Sequence, residues 1–248
     1  MDVALFITCL TDTFHPRVGI AVVRVLRHLG CKVHFPPGQT CCGQPAYNNG
    51  FHKQAAAMGR RMVDVFDGDD YVVTPSASCA TMVKHHTPEL LADDPAYADR
   101  ARRLAERTWE FSTFLTDVLA VNLADFAPKE TSPTTFHYSC HTRKIQPPQD
   151  ASRLVHDLCR ESYRPLEDLD QCCGFGGAFS TLFPNISHAM AGDKIGAIER
   201  SGADVVVCNE AGCTMTLAGA VQRRGINVTF KHLADLLAES LGLMDEEL

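Results

Sequence analysis

The sequence predicts an α/β protein built as an internal duplication of two similar three-layer units, each with a parallel sheet. Three observations predict this class. Strand-like and helix-like segments alternate with short connections, a Cys-Cys-Gly triplet occurs twice, and a lone cysteine precedes each triplet at the same spacing. Cys9 precedes Cys41 by 32 residues, and Cys140 precedes Cys172 by the same 32. Such alternation indicates a parallel sheet covered by helices on both faces.

The first half supplies its elements in a regular order. A strand-like run, VALFITC, ends at Cys9, and an amphipathic helix is predicted over 17–30. A short strand (KVHFPP), the first Cys-Cys-Gly triplet and a further helix follow. The run YVVTPSASC ends at Cys79, and a helix over 109–120 closes the half. The segment 87–108 has no counterpart in the second half and is expected to be helical after Pro95.

The second half repeats this order. The run TTFHYSC ends at Cys140, and DVVVCNEAGC ends at Cys213, which aligns with Cys79 when the two valine pairs are superposed. An amphipathic helix over 230–242 closes the half. We therefore expect two cysteine-rich domains, 1–126 and 134–248, joined by a linker at 127–135 that is rich in Pro, Thr and Ser. In parallel sheets the functional crevice lies beyond the carboxyl ends of the strands, where the repeated cysteines fall.

Length, charge and hydropathy exclude several classes of function. The 248 residues can bury a real core, and the net charge of −7 argues against a nucleic-acid-binding face, which would be basic. No apolar run reaches the length of a membrane span, and the first residues lack the basic and apolar regions of an export signal. The expected location is the cytoplasm.

Cysteine is the unusual residue of the composition, with eleven copies. Cytosolic thiols stay reduced, so a cysteine cluster in such a chain points to metal or redox chemistry rather than to a disulfide frame. Three cysteines have no repeated partner. Cys31 and Cys159 are expected in the core, and Cys208 is expected in a strand near the site. The other eight are the candidate ligands: Cys9, Cys41, Cys42, Cys79, Cys140, Cys172, Cys173 and Cys213.

Three chemistries remain open for these eight thiols. A disulfide between adjacent cysteines would be strained and readily reduced, hence redox-active. Four thiolates per half suit zinc or an iron–sulfur cluster. Zinc knuckles have two to four residues between their cysteines, whereas adjacent cysteines point in divergent directions, which favours a cluster with several irons. Gly43 and Gly174 would let the backbone turn sharply and approach the cofactor.

The stretches LFITCLTDTFHPRVG, GQTCCGQPAYNNG, YVVTPSASC and CCGFGGAFS resemble the cysteine-rich CCG-domain family over nearly the whole chain. This family includes the cysteine-rich component of heterodisulfide reductase and the iron–sulfur component of glycolate oxidase. The resemblance is strongest to small stand-alone members with two such domains that serve lactate utilization. Carried over by position, it implies one ligand set of Cys9, Cys41, Cys42 and Cys79 and a second set of Cys140, Cys172, Cys173 and Cys213.

The chain departs from the reductase pattern at one position in each half. That pattern has a fifth cysteine three residues before the last, where this chain has Ser76 and Glu210. Four thiolates per half are enough for an ordinary iron–sulfur cluster but one short of the five-cysteine, non-cubane version. Cys208 could supply a fifth ligand in the second half only.

The resemblance implies an iron–sulfur subunit of a multi-protein complex that oxidises L-lactate to pyruvate. Because the chain lacks the closely spaced cysteines of a ferredoxin, its partners would include an iron–sulfur relay protein. The chain would then be a non-autonomous subunit. Two alternatives stay open: a metal-free thiol–disulfide redox protein and a zinc-stabilised scaffold subunit.

Polar residues flank the second lone cysteine. His137, His141 and Arg143 lie beside Cys140. A cation there would raise the potential of a cluster, and an arginine could bind a carboxylate in bidentate fashion. Single residues of this kind more commonly satisfy backbone groups in turns.

Overall fold

The computed structural model describes residues 1–68, 70–126 and 132–244 of the chain. The chain divides into two compact units, Met1–Leu119 and Ala120–Leu248. Each unit contains one Cys-Cys-Gly triplet. Of the predicted linker 127–135, residues 127–131 lie outside the described residues.

The first unit is built on a four-stranded sheet in which every neighbouring pair is parallel. Its strands are β1 (Asp2–Leu5), β2 (Lys32–His34), β3 (Tyr71–Thr74) and β4 (Thr108–Glu110), in the order β2-β1-β3-β4. The chain goes from β1 to β2 on one side and then crosses to β3 on the other. This reversal opens a crevice between the carboxyl ends of β1 and β3, the usual place for a binding site in open parallel sheets.

Both faces of this sheet are covered. The successive β1 residues Val3, Ala4 and Leu5 are each at most 4% exposed. Since successive side chains of a strand point to opposite faces, their common burial requires a layer on each side. The predicted three-layer arrangement is confirmed.

The helices of the first unit lie between and after these strands. They are α1 (Cys9–Phe14), α2 (Pro16–His28), α3 (Gln44–Asn48), α4 (His52–Val65), α5 (Ala77–Thr81), α6 (Thr87–Leu90), α7 (Ala98–Arg107) and α8 (Phe111–Thr113). A π-helical turn, Met82–His86, joins α5 to α6, and another, Phe114–Val118, extends α8. Helix α2 begins at Pro16, whose fixed φ suits a first helical turn. The helices predicted over 17–30 and after Pro95 are confirmed as α2 and α7.

The second unit has a three-stranded parallel sheet. Its strands are β5 (Thr134–His137), β6 (Val205–Cys208) and β7 (Thr229–Lys231), in that order. Its α-helices are α9 (Pro148–Cys159), α10 (Ala178–Leu182), α11 (Pro184–Ser201), α12 (Ala211–Arg224) and α13 (Leu233–Ser240). Short 3₁₀ turns occur at Leu123–Asp125, Thr142–Lys144 and Arg160–Ser162. The counterpart of β2 is reduced to one parallel bridge, between Tyr163 and Thr134.

Strand register confirms the duplication. In the first unit Val3 pairs with Tyr71, and in the second Thr134 pairs with Val205. Continuing along the strands, Phe6 of the first unit corresponds to His137 of the second, and Thr74 corresponds to Cys208. The two sheets therefore have the same switch point, between β1 and β3 and between β5 and β6.

Two details of the sequence prediction are wrong. Strands β1 and β5 end at Leu5 and His137, before the cysteines that were expected to end them. Cys9 instead begins α1. The closing segments were predicted as helices from their first residues, but each opens with a strand, β4 or β7. The end of a strand depends on where its hydrogen bonds to the neighbouring strand stop, and an apolar run does not show this. Short buried strands also resemble buried helices in periodicity.

No helix within the described ranges combines the length and the apolar character that a membrane crossing requires.

Candidate metal centre

The four repeated cysteines of the first unit gather at its switch point. Cys9 follows β1, and Cys79 lies in the first turn of α5, just after β3. Cys41 and Cys42 lie in the loop that leads from β2 into α3. Because all of these segments leave the carboxyl ends of parallel strands, residues far apart in sequence meet at one edge of the sheet.

The thiols of the first unit form a continuous chain of contacts. Cys9 is hydrogen-bonded to Cys41, and Cys41 is hydrogen-bonded to Cys42. The sulfur of Cys42 lies 3.3 Å from the sulfur of Cys79. The inner members are buried, since Cys42 is 2% exposed and Cys79 is 8% exposed. Four sulfur donors thus lie in one cluster, with Cys9 exposed at its outer end.

One of the four thiols of the first unit ionises far more easily than the thiols beside it. Hydrogen bonds from Cys42 and Cys9 lower the pKa of Cys41 to about 2. The pKa of Cys42 is raised well above its usual value by its hydrogen bonds to Cys41 and Cys79 and by burial. A single thiolate is therefore stabilised by protons on the adjacent thiols. A metal cation would replace those protons, because thiols bind metals as thiolates.

Backbone geometry at both triplets is of the kind that only glycine tolerates well. Gly43 has a φ of +92°, and a Cβ there would lie 3.2 Å from the Cβ of Met58 on α4. Gly174 has a φ of +84°, and a Cβ there would lie 2.6 Å from the carbonyl oxygen of Ser187 on α11. The expected sharp turn is present at both sites. It brings the backbone of the first triplet close to α4 and that of the second triplet close to α11.

The second unit brings together the corresponding four cysteines and a fifth. The sulfur of Cys173 lies 3.0 Å from that of Cys213, which is in the first turn of α12. Cys140 is hydrogen-bonded to Cys172, and Cys172 is hydrogen-bonded to Cys173. Cys208, the last residue of β6, is 1% exposed and is hydrogen-bonded to Cys213. The expectation that Cys208 is a strand residue near the site is correct.

The thiols of the second unit show the same pattern of raised and lowered pKa values as those of the first unit. Hydrogen bonds from Cys140 and Cys173 lower the pKa of Cys172 to about 2. The hydrogen bond to Cys172 raises the pKa of Cys173 to about 12. Hydrogen bonds to Cys173 and Cys208, with burial, raise the pKa of Cys213. The first cysteine of each triplet is thus the thiolate in both units.

A buried histidine and a buried lysine lie at the second site, and the first unit has other residue types at the equivalent positions. His137 ends β5 and is 1% exposed. Burial, with the nearby charge of Lys194, lowers the pKa of His137 to about 3, so the ring is neutral. Lys194 of α11 is fully buried and donates to the carbonyl oxygens of Asp168 and Leu169, at 3.0 Å each. Burial lowers the pKa of Lys194 to about 8, and nearby acidic groups and thiols oppose that shift.

Lys194 was not predicted from the sequence. A signal was available, because Lys194 falls on the buried stripe of α11 that also contains Ala191, Ile195 and Ile198. A lysine on such a stripe must bond its ammonium group to buried acceptors.

The other polar residues that flank the cysteines have different roles. Arg143 pairs with the carboxylate of Asp170 at 3.1 Å and also donates to its carbonyl oxygen. Its guanidinium group therefore binds the acceptors of a turn at Asp170, as such residues commonly do. The Nδ1 atom of His141, a half-buried residue, lies 3.5 Å from the sulfur of Cys140. Ser76, at the position of the missing fifth cysteine, accepts a hydrogen bond from the backbone N–H of Cys79 and caps α5.

The donor set fits a thiolate-ligated metal group. Zinc and iron–sulfur clusters both take four cysteine sulfurs, and both require them to be close and shielded. Bonds of about 2.3 Å place neighbouring sulfurs of a tetrahedral zinc site about 3.8 Å apart. The closest pairs here, at 3.3 and 3.0 Å, need to separate only slightly to admit a metal. Among the described residues, His137, Cys173 and Cys213 also form a compact trio of potential ligands.

Comparisons with known proteins agree with this geometry. Residues 3–84 and 134–218 each match the model of the Cysteine-rich domain family, CCG. Proteins named lactate utilization protein A are 41% identical in Bacillus licheniformis, 40% in Bacillus subtilis and 43% in Geobacillus kaustophilus. Each alignment spans 238 residues, 96% of this chain and 98–99% of the relative. This chain belongs to the lactate utilization protein A family.

Family membership agrees with the internal duplication, since the two matched segments lie one in each unit. A solved structure, allantoin racemase from Pseudomonas fluorescens, aligns over 99% of this chain and 92% of its own. Its identity is 13% and its TM-score is 0.33.

Proposed function

We propose that this protein is the cysteine-rich iron–sulfur subunit of a multi-protein complex that oxidises L-lactate to pyruvate. Each unit would hold one cluster. Cys9, Cys41, Cys42 and Cys79 would bind the first, and Cys140, Cys172, Cys173 and Cys213 the second. The observation that carries the proposal is the continuous chain of thiols at the switch point of each sheet. The name of the relatives supplies the link to lactate.

An iron–sulfur cluster, when bound, takes up and releases single electrons. The residues of the chain would hold it, shield it and balance its charge. Cys42 and Cys173, each 2% exposed, would keep the inner side of each cluster away from water. Phe175 packs where a side chain on Gly212 would begin and covers the second site. The N-terminus of α12 would stabilise the negative charge on Cys213.

Conversion of L-lactate to pyruvate releases two electrons and two protons. A subunit of this type would pass the electrons on, while other subunits, including an iron–sulfur relay protein, complete the lactate site and the onward route. The two domains would act as separate cluster carriers. A cytoplasmic location accords with reduced thiols.

The test is the iron, sulfide and zinc content of protein purified without oxygen. We expect about four irons and four sulfides for each unit. Cys42→Ser should remove the first set and Cys173→Ser the second. Cys31→Ser and Cys159→Ser are matched controls, because these cysteines are similarly buried but lie outside the clusters.

Other results would identify the alternatives. Zinc in place of iron would indicate a zinc-stabilised scaffold. Neither metal, together with free thiols that oxidise reversibly in pairs, would indicate a thiol–disulfide protein. For the lactate role, lactate-dependent dye reduction by the purified complex should fall with Cys42→Ser and persist with Cys31→Ser. Equal activity of the two variants would contradict a role of the first cluster in lactate oxidation.

A further inference from the structure

The imidazole of His137 is buried without hydrogen bonds. His137 is 1% exposed, and neither ring nitrogen has a hydrogen-bond partner among the described residues. Burial of a polar group without a partner is unfavourable, so native proteins rarely leave such a group unpaired. Two such nitrogens on one ring require an explanation.

Two cysteine sulfurs lie close to this ring. One ring nitrogen of His137 and the sulfurs of Cys173 and Cys213 lie within 4.8 Å of one another, and all three residues are buried. Nitrogen and sulfur ligands of one tetrahedral metal ion lie about 3.5 Å apart, given bonds of about 2.0–2.1 and 2.3 Å. The trio therefore needs only a small contraction to surround a metal.

The first unit shows that the fold does not require a histidine at this position. Its counterpart, Phe6, is fully buried in the core cluster that also contains Cys42 and Cys79. Phe6 packs edge-on against Phe66, with ring centroids 5.5 Å apart. The same place in the fold is thus filled by an apolar ring in one unit and by a ring with two nitrogen donors in the other.

The neighbouring strand has changed in the same way. His137 pairs in register with Cys208, whereas Phe6 and Thr74 occupy these two positions in the first unit. Two metal-binding residues therefore stand side by side where the first unit has none.

We propose that one ring nitrogen of His137 is a ligand of the metal group that Cys173 and Cys213 hold. The second site is then a mixed imidazole–thiolate site, whereas the first is bound by thiolates alone. This inference rests on the proposed function, in that the second unit must bind a thiolate-ligated metal. An imidazole that takes the place of one of the four thiolates raises the potential of an iron–sulfur centre, because a neutral ligand then replaces an anionic one. The second centre would then be the better electron acceptor of the two.

The direct test uses the full chain, purified without oxygen after labelling its histidines with ¹⁵N. If the metal is iron, pulsed electron paramagnetic resonance of the reduced protein should show coupling to one histidine nitrogen. If it is zinc, X-ray absorption at the zinc edge should require one nitrogen ligand among the sulfurs. Both measurements are made on the natural chain, so they do not depend on the folding of any variant.

Substitutions identify which histidine is responsible. His137→Phe, which copies the first unit, should abolish the nitrogen signal. It should also speed the loss of metal to a chelator about tenfold or more, since even the hydrogen-bond partners of ligands are worth about 10–100-fold in affinity. His188→Phe is the matched control, because His188 is exposed on α11. Its signal and its rate of metal loss should equal those of the natural chain.

The outcomes separate this inference from the proposed function. Metal bound by sulfur alone, with an unchanged rate of loss in His137→Phe, overturns the ligand and leaves the proposed function intact. Loss of the nitrogen signal in His141→Phe instead assigns the ligand to the half-buried histidine beside Cys140 and also overturns the inference. Absence of metal from the second unit, measured in the Cys42→Ser protein, overturns both.

Discussion

Replacement of Gly174 by alanine should destabilise the second unit more than an alanine at an unhindered glycine would. Gly174 has a φ of +84°, in the left-handed region, where a residue with a Cβ is disfavoured by about 1–2 kcal/mol. Its Cβ would also lie 2.6 Å from the carbonyl oxygen of Ser187, closer than real contacts allow. Overpacking of this kind adds about 1–3 kcal/mol. We therefore expect Gly174→Ala to lower the free energy of unfolding by about 2–5 kcal/mol.

Gly225→Ala is the control within the same unit. Gly225 ends α12 with a φ of +68°, but nothing lies within 4 Å of a Cβ there. Only the conformational cost of about 1–2 kcal/mol applies. Urea unfolding, followed by circular dichroism, measures both variants. Because relief of the clash would move the triplet away from α11, Gly174→Ala should also reduce the metal content of the second unit. Equal destabilisation by the two substitutions would refute the argument from close approach.

Three further predictions concern single side chains. Lys194 stands four residues after Met190, whose Cβ approaches Gly174, just as Met62 stands four residues after Met58, whose Cβ approaches Gly43. Lys194→Met therefore copies the first unit and removes a buried positive charge, so it should lower the midpoint potential of the second centre in a redox titration. An unchanged potential would show that this charge does not act on the site. Ser76→Ala removes the cap of α5 and should cost about 1 kcal/mol in urea unfolding, whereas Thr13→Ala, at an exposed position of α1, should cost little. Lys84 donates to the carbonyl oxygens of Ala105 and Thr108, at 3.2 and 2.7 Å, so Lys84→Met should cost about 1–3 kcal/mol by removing these two charge-assisted hydrogen bonds. A variant as stable as the natural chain would contradict this.

The pH dependence of stability provides a separate check on Lys84. Burial lowers the pKa of Lys84 below its usual 10.5. The folded protein then loses this proton at a lower pH than the unfolded chain does, so the unfolded state binds more protons between the two pKa values. The contribution of Lys84 to stability should accordingly rise with pH between these two pKa values. Subtracting the profile of Lys84→Met from that of the natural chain isolates the effect, and a fall with pH would contradict the assigned sign.

The two sites differ by substitutions at equivalent positions of one fold. Phe6 and Met62 of the first unit correspond to His137 and Lys194 of the second, and Thr74 corresponds to Cys208. In each case an apolar or neutral residue is replaced by a group that can bind a metal or carry charge. The two units thus share the four repeated cysteines but differ in the residues around them. This divergence is the physical basis for expecting two centres with different properties.

The sequence by itself determined the fold class and which cysteines lie near one another. The repeated 32-residue spacing identified the duplication, and alternation of strands and helices placed the cysteines beyond the carboxyl ends of parallel strands. That inference succeeded because the ends of parallel strands must meet at one edge of a sheet, whatever the loops between them do. Even Cys208, which lacks a repeated partner, could be placed near the site from its strand.

Only the tertiary structure decided the contacts within each site. The order of the thiols, with Cys41 and Cys172 as the thiolates, depends on hydrogen bonds between residues far apart in sequence, such as Cys173 and Cys213. His137 and Lys194 are both buried and interact electrostatically, although four helical segments separate β5 from α11 along the chain. Local periodicity extends over only a few residues, so it cannot encode such contacts. It places a residue on a strand or a helix face, and the packing of that face decides what the residue touches.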